Sequence, residues 1–190
     1  MSTTWQVVVV ALWLVVMVQL FLILVLYRQF GLVYLGRGEA RSRDGLPLRT
    51  SVPSWRAVDQ DGRERNAEEF LGQPQLIVFT DANCGPCQKL MPELAAYYRE
   101  ELDDVRVVVI GTDDAFLNNA MTERFGLEMP VLTQHEDEVS GQFRVTATPF
   151  VFVVDGDGTI REKGIVNHRN QIVEKMRAVV DRRAREEMVA

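Results

Sequence analysis

Cys84 and Cys87 are the only cysteines in a chain of 190 residues, and they stand close together in Thr80-Asp81-Ala82-Asn83-Cys84-Gly85-Pro86-Cys87. A pair at this spacing could supply half of a zinc site, form a fixed structural disulfide, or cycle between dithiol and disulfide. Tetrahedral structural zinc takes four ligands. The two histidines, His135 and His168, lie far along the chain without ligand spacing. A fixed disulfide here would close a loop around Gly85 and Pro86 alone, which constrains the unfolded chain little. Redox cycling is therefore the favoured chemistry, and neither a metal nor a cofactor is expected.

The flanking residues say how the pair is held. Leu76-Ile77-Val78-Phe79 is a short apolar run and reads as a buried strand. Gln88 to Tyr98 reads as a helix. Cys84 then sits at a strand-to-helix turn, with Cys87 in the first helical turn. That turn presents unpaired N–H groups and the positive end of the helix dipole. A thiolate is favoured there over a thiol, so Cys84 is the expected nucleophile. Cys87, about one turn on, is placed to resolve a mixed disulfide. Gly85-Pro86 makes the turn and starts the helix, because Pro is tolerated where no N–H partner exists. Asn83 and Asp81 complete the loop; Asp81 is a candidate local acid, though a solvated loop carboxylate serving the turn is the favoured reading.

A second feature lies at the other end of the chain. Val7 to Tyr27 is apolar except for Gln19, and no charge occurs before Arg28. A helix of this length crosses about 30 Å of hydrocarbon. Trp5 and Tyr27 bracket the run as interfacial aromatics do. A cleaved signal peptide fits less well, since there is no basic start and no A-x-A-like site. The reading is an uncleaved single-pass anchor over 5–28 after a short tail, 1–4. Five arginines (Arg28, Arg37, Arg41, Arg43 and Arg49) follow the span and none precedes it. The positive-inside rule therefore favours a cytoplasmic C-terminal domain.

Charge divides along the chain. Residues 28–50 carry those five arginines against Glu39 and Asp44, while residues 51–190 hold 16 Lys/Arg and 25 Asp/Glu. The basic stretch 29–53 reads as a juxtamembrane linker, solvated or resting on anionic headgroups. The acidic domain over 54–190 argues against a nucleic-acid partner.

Within that domain, Trp55 to Val58 reads as a strand and Asp59 to Gly62 as a turn. Asn66 with Glu69 has capping-box spacing for a short helix. Pro92 should kink the helix after Cys87. Val105 to Ile110 is an apolar, mostly β-branched run suited to a strand buried on both faces. Ala115 to Phe125 reads as a helix with Phe116, Leu117, Ala120 and Met121 on one face. Pro130 to Leu132 is extended, and Glu138 to Phe143 a short helix. Pro149 opens the apolar strand to Val154, and Asp155-Gly156-Asp157-Gly158 turns it into a returning strand from Thr159 to Val166. Ile172, Val173, Met176, Val179 and Val180 form the apolar face of a last helix. The order of elements predicts an α/β fold with a mixed sheet flanked by helices.

Cys-Gly-Pro-Cys between a buried strand and a Pro-containing helix, followed by Thr148-Pro149 and an Asp-Gly hairpin, resembles thioredoxin. The span, the early strand and Asp61-Gly62-Arg63-Glu64 are similar to the membrane-anchored TlpA/ResA group. Leu26 to Gly31 and Phe79 to Cys84 are similar to the methylamine-utilisation MauD proteins. The resemblance implies a thioredoxin-like fold and a protein thiol–disulfide oxidoreductase. In it Cys84 would be the exposed nucleophile, Cys87 the buried resolving thiol, and Pro149 a cis proline. The backbone of Thr148 would bind a substrate strand. It also implies protein thiols or disulfides as substrates, a membrane electron donor of the DsbD/CcdA type, and an extracytoplasmic domain, against the arginine count. A role in maturing an extracytoplasmic enzyme or cytochrome would follow.

The sequence departs from that pattern in two places. Thioredoxin's buried Asp falls at Val78, and Asn83 replaces the aromatic before the first cysteine. Two other functions share the residues. A peroxiredoxin-like peroxidase would place Thr three residues before its cysteine, where Asp81 stands. A Sco-like copper module would need His168 as its third ligand.

Overall fold

The computed structural model describes the backbone of residues 3–101, 105–136 and 138–189. Side chains are described for these except Thr4, 26–43, Glu101 and 180–189. The chain divides into two units, 1–42 and 43–190.

The first unit is one helix, α1 (Thr3–Arg43). Its segment Trp5–Val25, 21 residues, is long and apolar enough to cross a membrane, by length and composition. The helix continues past the expected end of the span, so much of the stretch read as a linker is helical. Its backbone has no reason to stop: no proline occurs before Pro47, and an isolated glycine costs a helix only about 1 kcal/mol. The side chains of Tyr27 and of the first four arginines lie outside the described residues.

The second unit is an α/β fold built on one mixed seven-stranded sheet, in the order β2-β1-β5-β4-β3-β6-β7. The elements in chain order are β1 (Arg56–Asp59), β2 (Glu64–Asn66), a short 3-10 turn (Ala67–Phe70), β3 (Gln75–Thr80), α2 (Gly85–Glu101) and β4 (Arg106–Gly111). They continue with α3 (Ala115–Phe125), β5 (Val131–Thr133), α4 (Glu138–Phe143), β6 (Phe150–Val154), β7 (Ile160–Ile165) and α5 (Arg169–Val189). β3, β4 and β5 run parallel, and β6 pairs antiparallel with both β3 and β7. The expected order is present, with β2 as an added edge strand. Its Glu-Arg-Asn sequence carries no apolar alternation, so only its pairing with β1 makes it a strand.

Alternation along the strands divides the core into two layers. Leu76, Val78, Val107, Val109, Val151 and Val153 face α2 and α5, against Leu90, Met91, Leu94, Ile172 and Met176. Ile77, Phe79, Val108, Ile110, Phe150 and Phe152 face the opposite way, onto Trp55, Val139 and Phe143. All six β3 residues are buried, as expected of a central strand covered on both faces. Asn66 forms the capping box with Glu69. Pro92 lies inside α2, which runs as one element through it.

Two placements were not legible in the sequence. On α3, Phe116 is 79% exposed and Ala120 is exposed too, while Asn118 and Met121 are buried. Periodicity groups the aromatic with Met121, but Gly111 leaves room for the Asn118 side chain under the helix. There its amide donates to the Asp113 carbonyl and to Thr133 Oγ1. The second unit begins at Arg43, so it takes in residues ahead of position 54. Asp44 is buried, and Gly45 and Leu46 donate backbone hydrogen bonds to Arg144 and Phe143. Val180 of the expected α5 face lies outside the described side chains.

Candidate active site

The pair of cysteines lies where β3 hands over to α2. Cys84 stands in the N-cap position: its carbonyl accepts the first helical bond, from Gln88 N–H at 3.1 Å. Its sulfur accepts the Cys87 N–H at 3.2 Å. A helix cap normally supplies an oxygen to this orphan donor. Here the acceptor is the sulfur itself, so the group that satisfies the helix end is also the one that would carry charge as a thiolate. Cys84 and Cys87 are joined as a disulfide, with Cα atoms 5.2 Å apart. Cys84 is partly exposed and Cys87 fully buried. Gly85 and Pro86 are exposed in the first turn of α2.

The loop ahead of Cys84 is tightly held. Asp81 Oδ1 accepts the Asn83 N–H at 2.7 Å, and the Asp81 carbonyl accepts Cys84 N–H. The Asp81 carboxylate thus serves the turn. Asn83 is exposed and donates its side-chain amide to Asp113 at 3.4 Å. Asp113 also accepts the Ala82 N–H. Gln88 Nε2 closes the loop from the other side, donating to the Ala82 carbonyl at 2.8 Å. Asp113 and Gln88 escaped sequence reasoning. Asp113 had one signal, a position directly beyond a buried parallel strand, where open α/β sheets build their sites.

On the other side, the Thr148 carbonyl oxygen lies 3.6 Å from Cys84 Sγ, and the Thr148–Pro149 peptide is cis. A cleft of about 440 Å³ runs beside the pair, lined by Asp81, Thr112, Thr146, Ala147 and Thr148 among others. All eight candidate residues therefore lie around one disulfide, drawn from the β3–α2 junction and the loop before β6. Val78, beneath them, is fully buried in the aliphatic layer with Leu90 and Met91 and offers no proton acceptor.

His168 does not join this group. It stands just before α5, 3.7 Å from Glu93. Glu93 is nine residues beyond Cys84, about 13 Å along α2 at the helical rise. Among the described residues, no group of three or more His, Cys, Asp or Glu could hold a metal ion together.

A mixed sheet of this order, with a Cys-x-x-Cys disulfide capping the helix after a central strand, is the thioredoxin-like arrangement. The chain belongs to the AhpC/TSA family, which it matches over residues 48–163. It is similar to the thiol-disulfide oxidoreductase ResA of Geobacillus thermodenitrificans, 26% identical over 124 residues, covering 63% of this chain and 70% of that protein. The methylamine utilization protein MauD of Paracoccus versutus is 26% identical over 166 residues, covering 86% of this chain and 83% of its own. Among solved structures, the thioredoxin domain of a thiol-disulfide oxidoreductase from Bacteroides vulgatus superposes with a TM-score of 0.60 at 19% identity, covering 72% of this chain and 97% of that one. That likeness establishes the fold.

Proposed function

We propose that this protein is a membrane-tethered thiol–disulfide oxidoreductase that works as a reductant of protein disulfides. The observation that carries the reading is the Cys84–Cys87 disulfide seated on the N-terminus of α2, with Cys84 partly exposed and Cys87 fully buried. In the reduced protein the Cys84 thiolate attacks one sulfur of a substrate disulfide. A new S–S bond forms to Cys84, and the departing substrate sulfur leaves as a thiolate that takes up a proton. Cys87 then loses its proton and attacks Cys84 Sγ. The Cys84–Cys87 bond closes and the second substrate thiol departs, so two electrons have passed from the dithiol to the substrate. Thr148 and Pro149 form the wall against which a substrate strand docks through the Thr148 backbone. Gly85 and Pro86 keep the exposed side of the pair small and open, while Asp81 and Asn83 hold the approach loop.

Similarity to ResA and MauD supports this chemistry, and Trp5–Val25 supports the tether. Re-reduction needs a dithiol donor, for which a membrane protein of the DsbD/CcdA type fits a tethered, extracytoplasmic domain. The arginines after the span oppose that side, so the orientation is itself a test: a cysteine-reactive, membrane-impermeant label should reach reduced Cys84 in intact cells. The substrates are protein disulfides of an extracytoplasmic enzyme or cytochrome under maturation.

A peroxide-consuming reading is favoured by the family match alone, and Asp81 stands where that chemistry wants a hydroxyl. The deciding experiment compares reduction of a protein disulfide with consumption of hydrogen peroxide. Wild type should reduce the disulfide and leave peroxide untouched. Cys84→Ser should abolish reduction, and Cys87→Ser should accumulate the mixed disulfide on a non-reducing gel. Undiminished reduction by Cys84→Ser would sink the proposal.

A further inference from the structure

Asp44 lies at the entry to the folded unit, and no step described so far uses it. It is a carboxylate with only 8% of its surface exposed. Its Oδ1 accepts two hydrogen bonds from Thr146, from the N–H at 3.0 Å and from the hydroxyl at 2.9 Å. Its Oδ2 is buried without a hydrogen-bond partner. Thr146 is two residues ahead of Thr148, whose carbonyl touches Cys84. One buried carboxylate thus grips the loop that faces the nucleophile.

The segment that carries Asp44 is itself fixed on three sides. Gly45 and Leu46 donate to the Arg144 and Phe143 carbonyls, each at 2.9 Å, so residues 44–46 follow the loop over 143–146. Lys163, on β7, donates to the Asp44 and Gly45 carbonyls at 2.7 and 2.9 Å. Burial pushes the Lys163 ammonium below its usual value, and the Asp44 carboxylate opposes that shift. Gly45 has φ +74°, and a Cβ there would come within 2.9 Å of the Phe150 and Phe152 rings. Those rings belong to the strand that Pro149 opens. A bond to a charged acceptor holds roughly twice as strongly as a neutral one, so the carboxylate fixes this loop more firmly than an amide could.

We propose that Asp44 is a positioning residue for the substrate-docking wall: through Thr146 it holds the Thr148 backbone in place beside Cys84. This rests on the oxidoreductase reading above. The wall matters only to substrates that use it. A peptide disulfide docks along Thr148, whereas a small disulfide needs only to reach the partly exposed Cys84.

The test uses the full-length protein in detergent, pre-reduced, in single-turnover reactions with a disulfide-bonded peptide and with 2-hydroxyethyl disulfide. Asp44→Ala should raise the half-saturating peptide concentration about tenfold, the loss of a charge-assisted hydrogen bond. It should leave the maximal rate and the reaction with 2-hydroxyethyl disulfide within about twofold. Asp44→Asn keeps an acceptor oxygen and should show a smaller rise, about threefold. The assignment is overturned if peptide half-saturation stays unchanged in Asp44→Ala. It is equally overturned if both disulfides lose rate together and Asp44→Asn is as poor as Asp44→Ala, for that pattern means general loosening. A wild type that reduces neither disulfide defeats the oxidoreductase reading instead, and shows itself before any variant is compared.

Discussion

At the residue scale, the chain places side-chain acceptors where the backbone leaves donors unpaired. Cys84 sulfur takes the Cys87 N–H, Asp81 takes Asn83, and Asp113 takes Ala82. Asp157 shows the same principle at the hairpin, and it yields a pH prediction. The Thr159 backbone N–H, 2.9 Å away, holds its carboxyl below the ordinary 3.8; partial burial opposes this, and the Thr159 hydroxyl and Arg161 add to the lowering. The folded form therefore favours the ionised group. Its stabilisation is present above the unfolded value of 3.8 and is lost as pH falls through the lower folded value. Urea unfolding of wild type and Asp157→Ala should differ by a constant amount at neutral pH, and the difference should shrink below pH 3.8. A difference that widens in acid would contradict this sign.

Elements explain what single residues do not. The proposed docking wall, Thr148–Pro149, has an aromatic group packed behind it. Phe79, Phe143, Phe150 and Phe152 form one aromatic group with ring centroids 5.1 to 6.0 Å apart. Phe152 is fully buried within it and also bounds the space left for Gly45. Phe152→Ala should destabilise the domain by about 3–5 kcal/mol, because the cavity between β6 and α4 cannot collapse without moving the sheet. Chemical denaturation measures this, and a cost below about 1 kcal/mol would show that the site closes up. α3 makes the opposite point. Its helical period is plain in the sequence, but which side faces inward was decided by the polar contacts of Asn118 with Asp113 and Thr133. Apolar period alone groups Phe116 with Met121, and of the two only Met121 is buried.

At the scale of the whole molecule, the boundary between the first helix and the folded unit has consequences. Residues 44–52 read as linker because Gly, Arg, Ser and Pro give them no period. Yet Gly45, Leu46, Arg49 and Val52 all make backbone hydrogen bonds within the folded unit. A chain beginning at Arg43 should unfold at nearly the Tm of the full-length domain, whereas one beginning at residue 54 should unfold several degrees lower, as about 1 kcal/mol shifts Tm by roughly 4 °C in a domain this size. Equal melting temperatures would return residues 43–53 to the status of a linker. Sequence alone determined the membrane-length helix, the strand–turn–helix around Cys84 and Cys87, the proline-led strand and the closing hairpin. Each is local: a run of apolar residues, a turn residue or a pair at fixed spacing declares itself without its neighbours. Only the tertiary structure decided that β2 is a strand, that Asn118 rather than Phe116 faces inward, and that Asp44 reaches Thr146. Those outcomes depend on contacts between distant residues, Asp44 and Thr146 across 102 positions of chain, and no local pattern encodes such a meeting.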